Sequence, residues 1–114
     1  MGIYGFVIAP QFDEASGFSE GLAAVKKAGQ WSFIDKSGSI VINGQFEDAW
    51  SFSEGRAPVR VNSKWGFIDK TGHVVIEPRY DHVFKFQGGL ASVMVKDRGG
   101  YIDRAGNYIW KLAK

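Results

Sequence analysis

The strongest constraint on this chain is an internal repeat. Residues 7–40, 41–74 and 75–108 align without a gap, and each block is 34 residues long. Nine positions are identical in all three blocks; in the first block they are Val7, Ile8, Phe18, Gly21, Ala23, Val25, Ile34, Asp35 and Gly38. A fixed period indicates one supersecondary unit that buries its apolar face only against another copy. We therefore interpret residues 1–114 as a single repeat domain, with a short capping segment at each end.

The local pattern decides between helix and strand, because helical arrays also use a period of 34. Apolar and polar residues alternate over Ala57–Val61, and Trp65–Ile68 is apolar on both faces. Asp69–Gly72 is typical of a tight turn, in which Asp bonds the backbone and Gly takes a positive φ. His73–Ile76 then returns as a third strand. Such short runs of period two, broken by glycines, favour strands over helices.

The sequence thus predicts an all-β fold of three tandem repeats, each a three-stranded antiparallel meander. A leading strand, Tyr4–Ile8, is expected to supply the first unit with the contacts that each unit supplies to the next one. Two arrangements fit this pattern: an open twisted array, and a closed ring with pseudo-threefold symmetry.

The segment that links one meander to the next carries two aromatic residues six positions apart. These pairs are Phe12/Phe18, Phe46/Phe52 and Tyr80/Phe86. The link is thirteen residues long (43–55 in the second block), so it needs local order or packing of its own. We expect the two rings to plug the core beneath it. The recurring Phe-Ser-Glu-Gly ends the link with a glycine of expected left-handed conformation.

Composition and charge exclude several classes of partner and site. The chain has 14 basic and 12 acidic residues, a net charge of +2, which makes a nucleic acid partner unfavourable. It has no cysteine, so disulfides and thiolate metal sites are excluded. The first residues show neither a signal peptide nor a membrane span, so a cytoplasmic location is the default expectation, without membrane insertion.

No group of residues forms a recognisable catalytic or metal-binding constellation, and we expect no cofactor. Asp35, Asp69 and Asp103 each begin an Asp-x-x-Gly turn, which accounts for them without a cation. His73 and His82 lie outside metal-binding spacings and are expected to face solvent.

Three segments resemble the WG-repeat family, a bacterial β-rich repeat named for its Trp-Gly pair: Phe18–Val25, Lys64–Gly72 and Val75–Asp81. The literal pair is present as Trp65-Gly66, whereas the first block has Trp31-Ser32 and the third has Gly99-Gly100. The resemblance implies tandem β-rich repeats that serve as interaction or surface modules without a shared catalytic mechanism.

The candidate binding surface lies on the middle repeat, where large or charged residues break the repeat. Trp50 replaces Ser16 and Phe84, and Arg56 replaces Leu22 and Leu90. With Arg60 and Lys64 these residues form a basic, aromatic candidate patch, of types favoured at interface hot spots. We expect a non-enzymatic interaction module that binds a protein partner through this patch. The alternative is carbohydrate or cell-envelope binding through exposed aromatic residues.

Overall fold

The computed structural model describes residues 12–111, which form twelve strands in three antiparallel sheets, one per repeat. The first sheet contains β1 (Glu14–Ala15), β2 (Ala23–Lys27), β3 (Gln30–Ile34) and β4 (Ile40–Phe46). The second contains β5 (Asp48–Ala49), β6 (Ala57–Val61), β7 (Lys64–Ile68) and β8 (Val74–Tyr80). The third contains β9 (His82–Val83), β10 (Leu90–Val95), β11 (Arg98–Asp103) and β12 (Tyr108–Lys111). Strands follow chain order within every sheet.

The all-β prediction is confirmed, but each sheet has four strands rather than three. The additional strand is a two-residue strand within the link: β1 pairs with β2, β5 with β6 and β9 with β10. Two residues are too few to show an alternating pattern, which is why periodicity missed this strand. The link also carries the local order expected of it.

Two kinds of turn join the strands of each meander. The hairpin between β2 and β3 turns through Ala28 and Gly29, both at positive φ, as the twist of a two-residue hairpin requires. The next turn is the Asp-x-x-Gly turn, in which the amide of Gly72 donates to the carbonyl of Asp69 at 3.0 Å. Gly72 has φ +92°, so the predicted turn chemistry is confirmed.

The sheets stack face to face in chain order. We call the face of a sheet that meets the following sheet its forward face, and the opposite face its rear face. In the first joint, Phe33 on the forward face of the first sheet meets Val59 on the rear face of the second in one core cluster. The second joint repeats this arrangement with Phe67 and Val93. Strand contacts between sheets join β3 to β5 and β7 to β9.

One aromatic ring from the link seals each joint. Phe52 meets Phe33 edge to face with ring centroids 5.0 Å apart, and Phe86 meets Phe67 at 4.8 Å. The expectation of aromatic plugs is thus confirmed for Phe52 and Phe86, which are 1% and 0% exposed. It is wrong for Phe18, which is 40% exposed, because no ring among residues 12–111 packs on it as Phe33 packs on Phe52.

The stack is elongated, with extents of 56 × 27 × 19 Å. Of the two arrangements expected, the open array is the one formed. The leading strand predicted at Tyr4–Ile8 lies outside the described residues. Within residues 12–111 there is no helix long and apolar enough to span a membrane.

Candidate functional site

Trp50 follows the short strand β5 and lies beside Trp65. Its amide donates to the carbonyl of Pro58 at 3.0 Å, which holds it alongside β6. Its ring contacts that of Trp65 with centroids 4.6 Å apart and a tilt of 42°. Trp65 is only 7% exposed, whereas Trp50 is 38% exposed. Trp50 is therefore an exposed indole held on a buried one, at the forward face of the second sheet.

Arg60 lies on the same face as Trp65, since the two residues are direct partners in the β6–β7 pairing. Direct partners in an antiparallel pair project to one side of the sheet. The neighbouring Val59 is buried, as the alternation predicted. The Arg60 guanidinium pairs with the Glu47 carboxylate at 3.4 Å, and both side chains are partly exposed. An exposed pair of this kind contributes about 0–1 kcal/mol, so Arg60 can exchange this partner at low cost.

Lys64 lies on the other side of the second sheet, because it is one residue from Trp65 along β7. Its Nζ contacts the Asp81 carboxylate at 2.5 Å. Asp81 also accepts from the amide of Lys96 at 2.6 Å. The bond from Lys64 and then that from Lys96 hold the pKa of Asp81 below its ordinary value. Lys64 thus helps to fix the third repeat's hairpin.

Arg56 lies just before β6, four residues from Arg60, and it contacts the third repeat. Its Nε donates to the carbonyl of Arg104 at 3.1 Å. In return, the guanidinium of Arg104 donates to the carbonyl of Glu54 at 3.1 Å. The two arginines therefore connect the second repeat to a turn of the third.

The structure accordingly brings together two of the four residues of the candidate patch. Trp50 and Arg60 lie on the forward face of the second sheet, and we call them the Trp-Arg surface. Arg56 and Lys64 contact the third repeat at other places. The sequence pattern ranked all four alike because it does not show which charges already have a partner.

Sequence reasoning missed a second set of residues, the serine and glutamate of Phe-Ser-Glu-Gly. The Ser19 hydroxyl donates to the carbonyl of Phe52 at 2.7 Å. The Glu20 carboxylate accepts from the amides of Glu54 and Gly55 at 2.8 and 3.0 Å. We call this two-residue arrangement the Ser-Glu clasp.

The second joint has the same clasp. Ser53 donates to the carbonyl of Phe86 at 2.7 Å. The Glu54 carboxylate accepts from the amides of Gly88 and Gly89 at 2.7 and 2.8 Å. The signal that could have found the clasp was its recurrence in the first two blocks and its loss in the third, where Gln87 and Gly88 replace serine and glutamate.

The three turn aspartates act structurally, as predicted. One oxygen of Asp69 accepts from the amide and the hydroxyl of Thr71 and from the amide of His73. The bond from the Thr71 hydroxyl is the main cause that lowers the pKa of Asp69 from its ordinary 3.8. The pKa values of Asp35 and Asp103 are lowered in the same way, chiefly by bonds from Ser37 and Asn107.

His73 and His82 are both exposed, as predicted. In the part of the chain that the structure describes, no three acidic or histidine side chains cluster so as to hold a metal ion. A cavity beside the first sheet has a volume of about 230 Å³ and is lined by Phe12, Val25, Lys27, Ala28, Gln30, Ser32, Ile40, Asn43 and Gly44. No acid or histidine is among these lining residues.

Comparison with known families gives a match over most of the chain. The family described as "WG containing repeat" matches residues 5–31, 31–65 and 65–98. The boundaries of these units fall at the two repeated tryptophans, Trp31 and Trp65. A comparison with curated proteins gave no match.

Proposed function

The chain belongs to the family of WG-containing repeats, and from this premise we propose that it is a non-catalytic module that binds a protein partner through the Trp-Arg surface. The observation that carries the proposal is the exposed ring of Trp50 stacked on the buried ring of Trp65. Residues common to the repeats build the core, and Trp50 has no tryptophan counterpart in the other two.

Binding costs free energy whenever it orders a mobile side chain. An indole already held against a second indole loses little rotamer freedom when a partner covers it. Burial of its remaining apolar area then contributes to affinity. Tryptophan is accordingly among the residues most enriched at interface hot spots.

Arg60 supplies the polar part of the surface. Its guanidinium offers a planar fork of donors that matches a carboxylate. Exchange of Glu47 for a carboxylate of the partner costs little, because the existing pair is exposed. We therefore propose a partner segment that places an apolar or aromatic side chain next to an acidic one.

Affinity capture from the source cells tests this function. The wild-type chain and the Trp50→Ala/Arg60→Ala variant serve as baits, and retained proteins are quantified. The matched control is Phe84→Ala/Arg98→Ala, which removes the exposed aromatic residue equivalent to Trp50 and an exposed arginine in the third repeat. We expect the wild type and the control to retain the same partner. The amount retained by the Trp50/Arg60 variant should be at least tenfold lower. Equal retention by all three baits, with unchanged melting temperatures, would show that the surface is wrong.

A second candidate function, carbohydrate binding, is favoured by the same exposed indole, since the apolar face of a sugar ring packs on an aromatic ring. The single variants separate the two functions. Trp50→Ala weakens both kinds of binding, whereas Arg60→Ala weakens an acidic protein partner and leaves a neutral glycan unaffected. A glycan array probed with both single variants, at low and high salt, distinguishes them.

A further inference from the structure

Two arginines meet at the second joint, at positions where the first joint has one leucine and one lysine. Arg56 and Arg104 correspond to Leu22 and Lys70 of the first joint. Leu22 is 7% exposed and belongs to the core cluster, whereas Arg56 is half-buried and Arg104 is exposed. We call Arg56 and Arg104 the arginine pair. Since the first joint forms without such a pair, the packing shared by the repeats does not require it.

Backbone carbonyls hold the two guanidinium groups next to each other. The carbonyls of two consecutive residues accept one bond from each group. Nη1 of Arg104 donates to the carbonyl of Glu54 at 3.1 Å, and Nη1 of Arg56 donates to that of Gly55 at 3.2 Å. Nε of Arg56 also donates to the carbonyl of Arg104 at 3.1 Å. A guanidinium carries five N–H donors, so these bonds leave most of the donors available to a ligand.

The charge of the arginine pair is not compensated by an ion pair. None of the ion pairs formed among residues 12–111 includes Arg56 or Arg104. The carboxylates of the same two loops bond elsewhere, since Glu54 accepts from amides of the third repeat and Asp103 from amides of its own turn. A carbonyl oxygen accepts a hydrogen bond but carries no net charge. Two like charges held together and partly out of water therefore favour the binding of an anion.

We propose that the arginine pair binds a phosphoryl group, carried by a phosphate ester or by free phosphate. A phosphate monoester has a charge of about −1.5 to −2 at pH 7 and three acceptor oxygens, so it can bond both guanidinium groups at once. A carboxylate has a single negative charge and matches the fork of one arginine. This site does not depend on the Trp-Arg surface or on the proposed function.

An NMR titration of the nitrogen-15-labelled chain tests the site. The probes are inorganic phosphate and a short peptide that contains phosphoserine. Acetate and the unphosphorylated peptide serve for comparison, all at one ionic strength. We expect saturable shifts in the amide signals of Gly55 and Ala105 with both phosphate probes, and none with the other two. Tighter binding of the phosphopeptide would identify a phosphorylated chain as the ligand, whereas equal affinities would identify a small phosphate compound.

Three variants assign these shifts to the arginine pair. Arg104→Gln removes one guanidinium and should lower the affinity for phosphate about tenfold or more, since it removes charge-assisted bonds. Arg104→Lys copies Lys70 and keeps the charge without the planar fork, so its loss should be smaller. The matched control, Arg98→Gln, removes an exposed arginine from the same repeat and should leave the affinity unchanged.

Melting temperatures establish that each variant is folded. If Arg104→Gln does not fold, Arg56→Leu, which copies Leu22, takes its place. Absence of saturable shifts in the wild type would overturn the proposal. So would an equal response to acetate, or full affinity in the folded variant that lacks one arginine of the pair.

Discussion

At the scale of single residues, the glycine of the Trp-Gly pair is required by close backbone contact. A Cβ on Gly66 would overlap backbone atoms of Ile76, Glu77 and Pro78 on the neighbouring strand. The β7–β8 pairing shifts register between Trp65 and Phe67, so the strand bulges opposite this glycine. In the first repeat Ser32 occupies the place of Gly66, and its hydroxyl donates to the carbonyl of Gly44 at 3.2 Å.

Gly66→Ala should therefore destabilise the fold, by about 1–3 kcal/mol, because the facing backbone has to move. The control is Gly17→Ala, where a Cβ would meet no atom within 4 Å. Urea unfolding of both variants measures the effect. Equal stability of the two variants would contradict the account of the Trp-Gly pair.

The turn aspartates predict how stability depends on pH. Hydrogen bonds lower the pKa values of Asp35, Asp69 and Asp103 in the folded chain. A carboxyl with a depressed folded pKa contributes stability above its unfolded pKa and loses it as pH falls through the folded value. The melting temperature should thus fall as the pH drops below about 4. The variant with all three aspartates changed to asparagine should show a shallower fall in melting temperature. An unchanged slope would show that the turn aspartates are not its cause.

At the scale of elements, the link performs two tasks that a single three-stranded meander cannot. Its two-residue strand pairs within its own sheet, as β5 does with β6. In its last four residues, Phe52–Gly55, the ring of Phe52 fills the core of the joint and two amides donate to Glu20. Each link thus completes one sheet and attaches it to the sheet before.

Glu54→Gln tests the clasp at this scale. The variant weakens charge-assisted bonds to the amides of Gly88 and Gly89, and we expect a loss of about 1 kcal/mol. For a domain of this size that loss lowers the melting temperature by roughly 4–8 °C. Glu77→Gln is the control, because Glu77 is exposed on β8. Equal melting temperatures of the two variants would rule out the clasp as a stabilising contact.

At the scale of the whole molecule, the strands and turns that have a recurring local sequence pattern could be predicted from the sequence. Alternation over Ala57–Val61 predicted a strand, and Asp69–Gly72 predicted its turn. The recurrence of Ser19 and Glu20 in the second block marks them as important, but it does not show what they contact, since their partners lie in the next repeat. Nor could it show that Arg56 and Lys64 contact the third repeat while Arg60 stays beside Trp65. Such assignments depend on contacts between repeats, which a single block does not contain.

The central claim is that the loops Phe52–Gly55 and Phe86–Gly89 are each clasped by the preceding repeat, whereas no residue among 12–111 clasps Phe18–Gly21. Amide hydrogen exchange, resolved by NMR in the wild-type chain, tests this claim without any substitution. We expect slow exchange for the amides of Glu54, Gly55, Gly88 and Gly89, and fast exchange for those of Glu20 and Gly21. Exchange at Glu20 and Gly21 as slow as at Glu54 and Gly55 would contradict this claim.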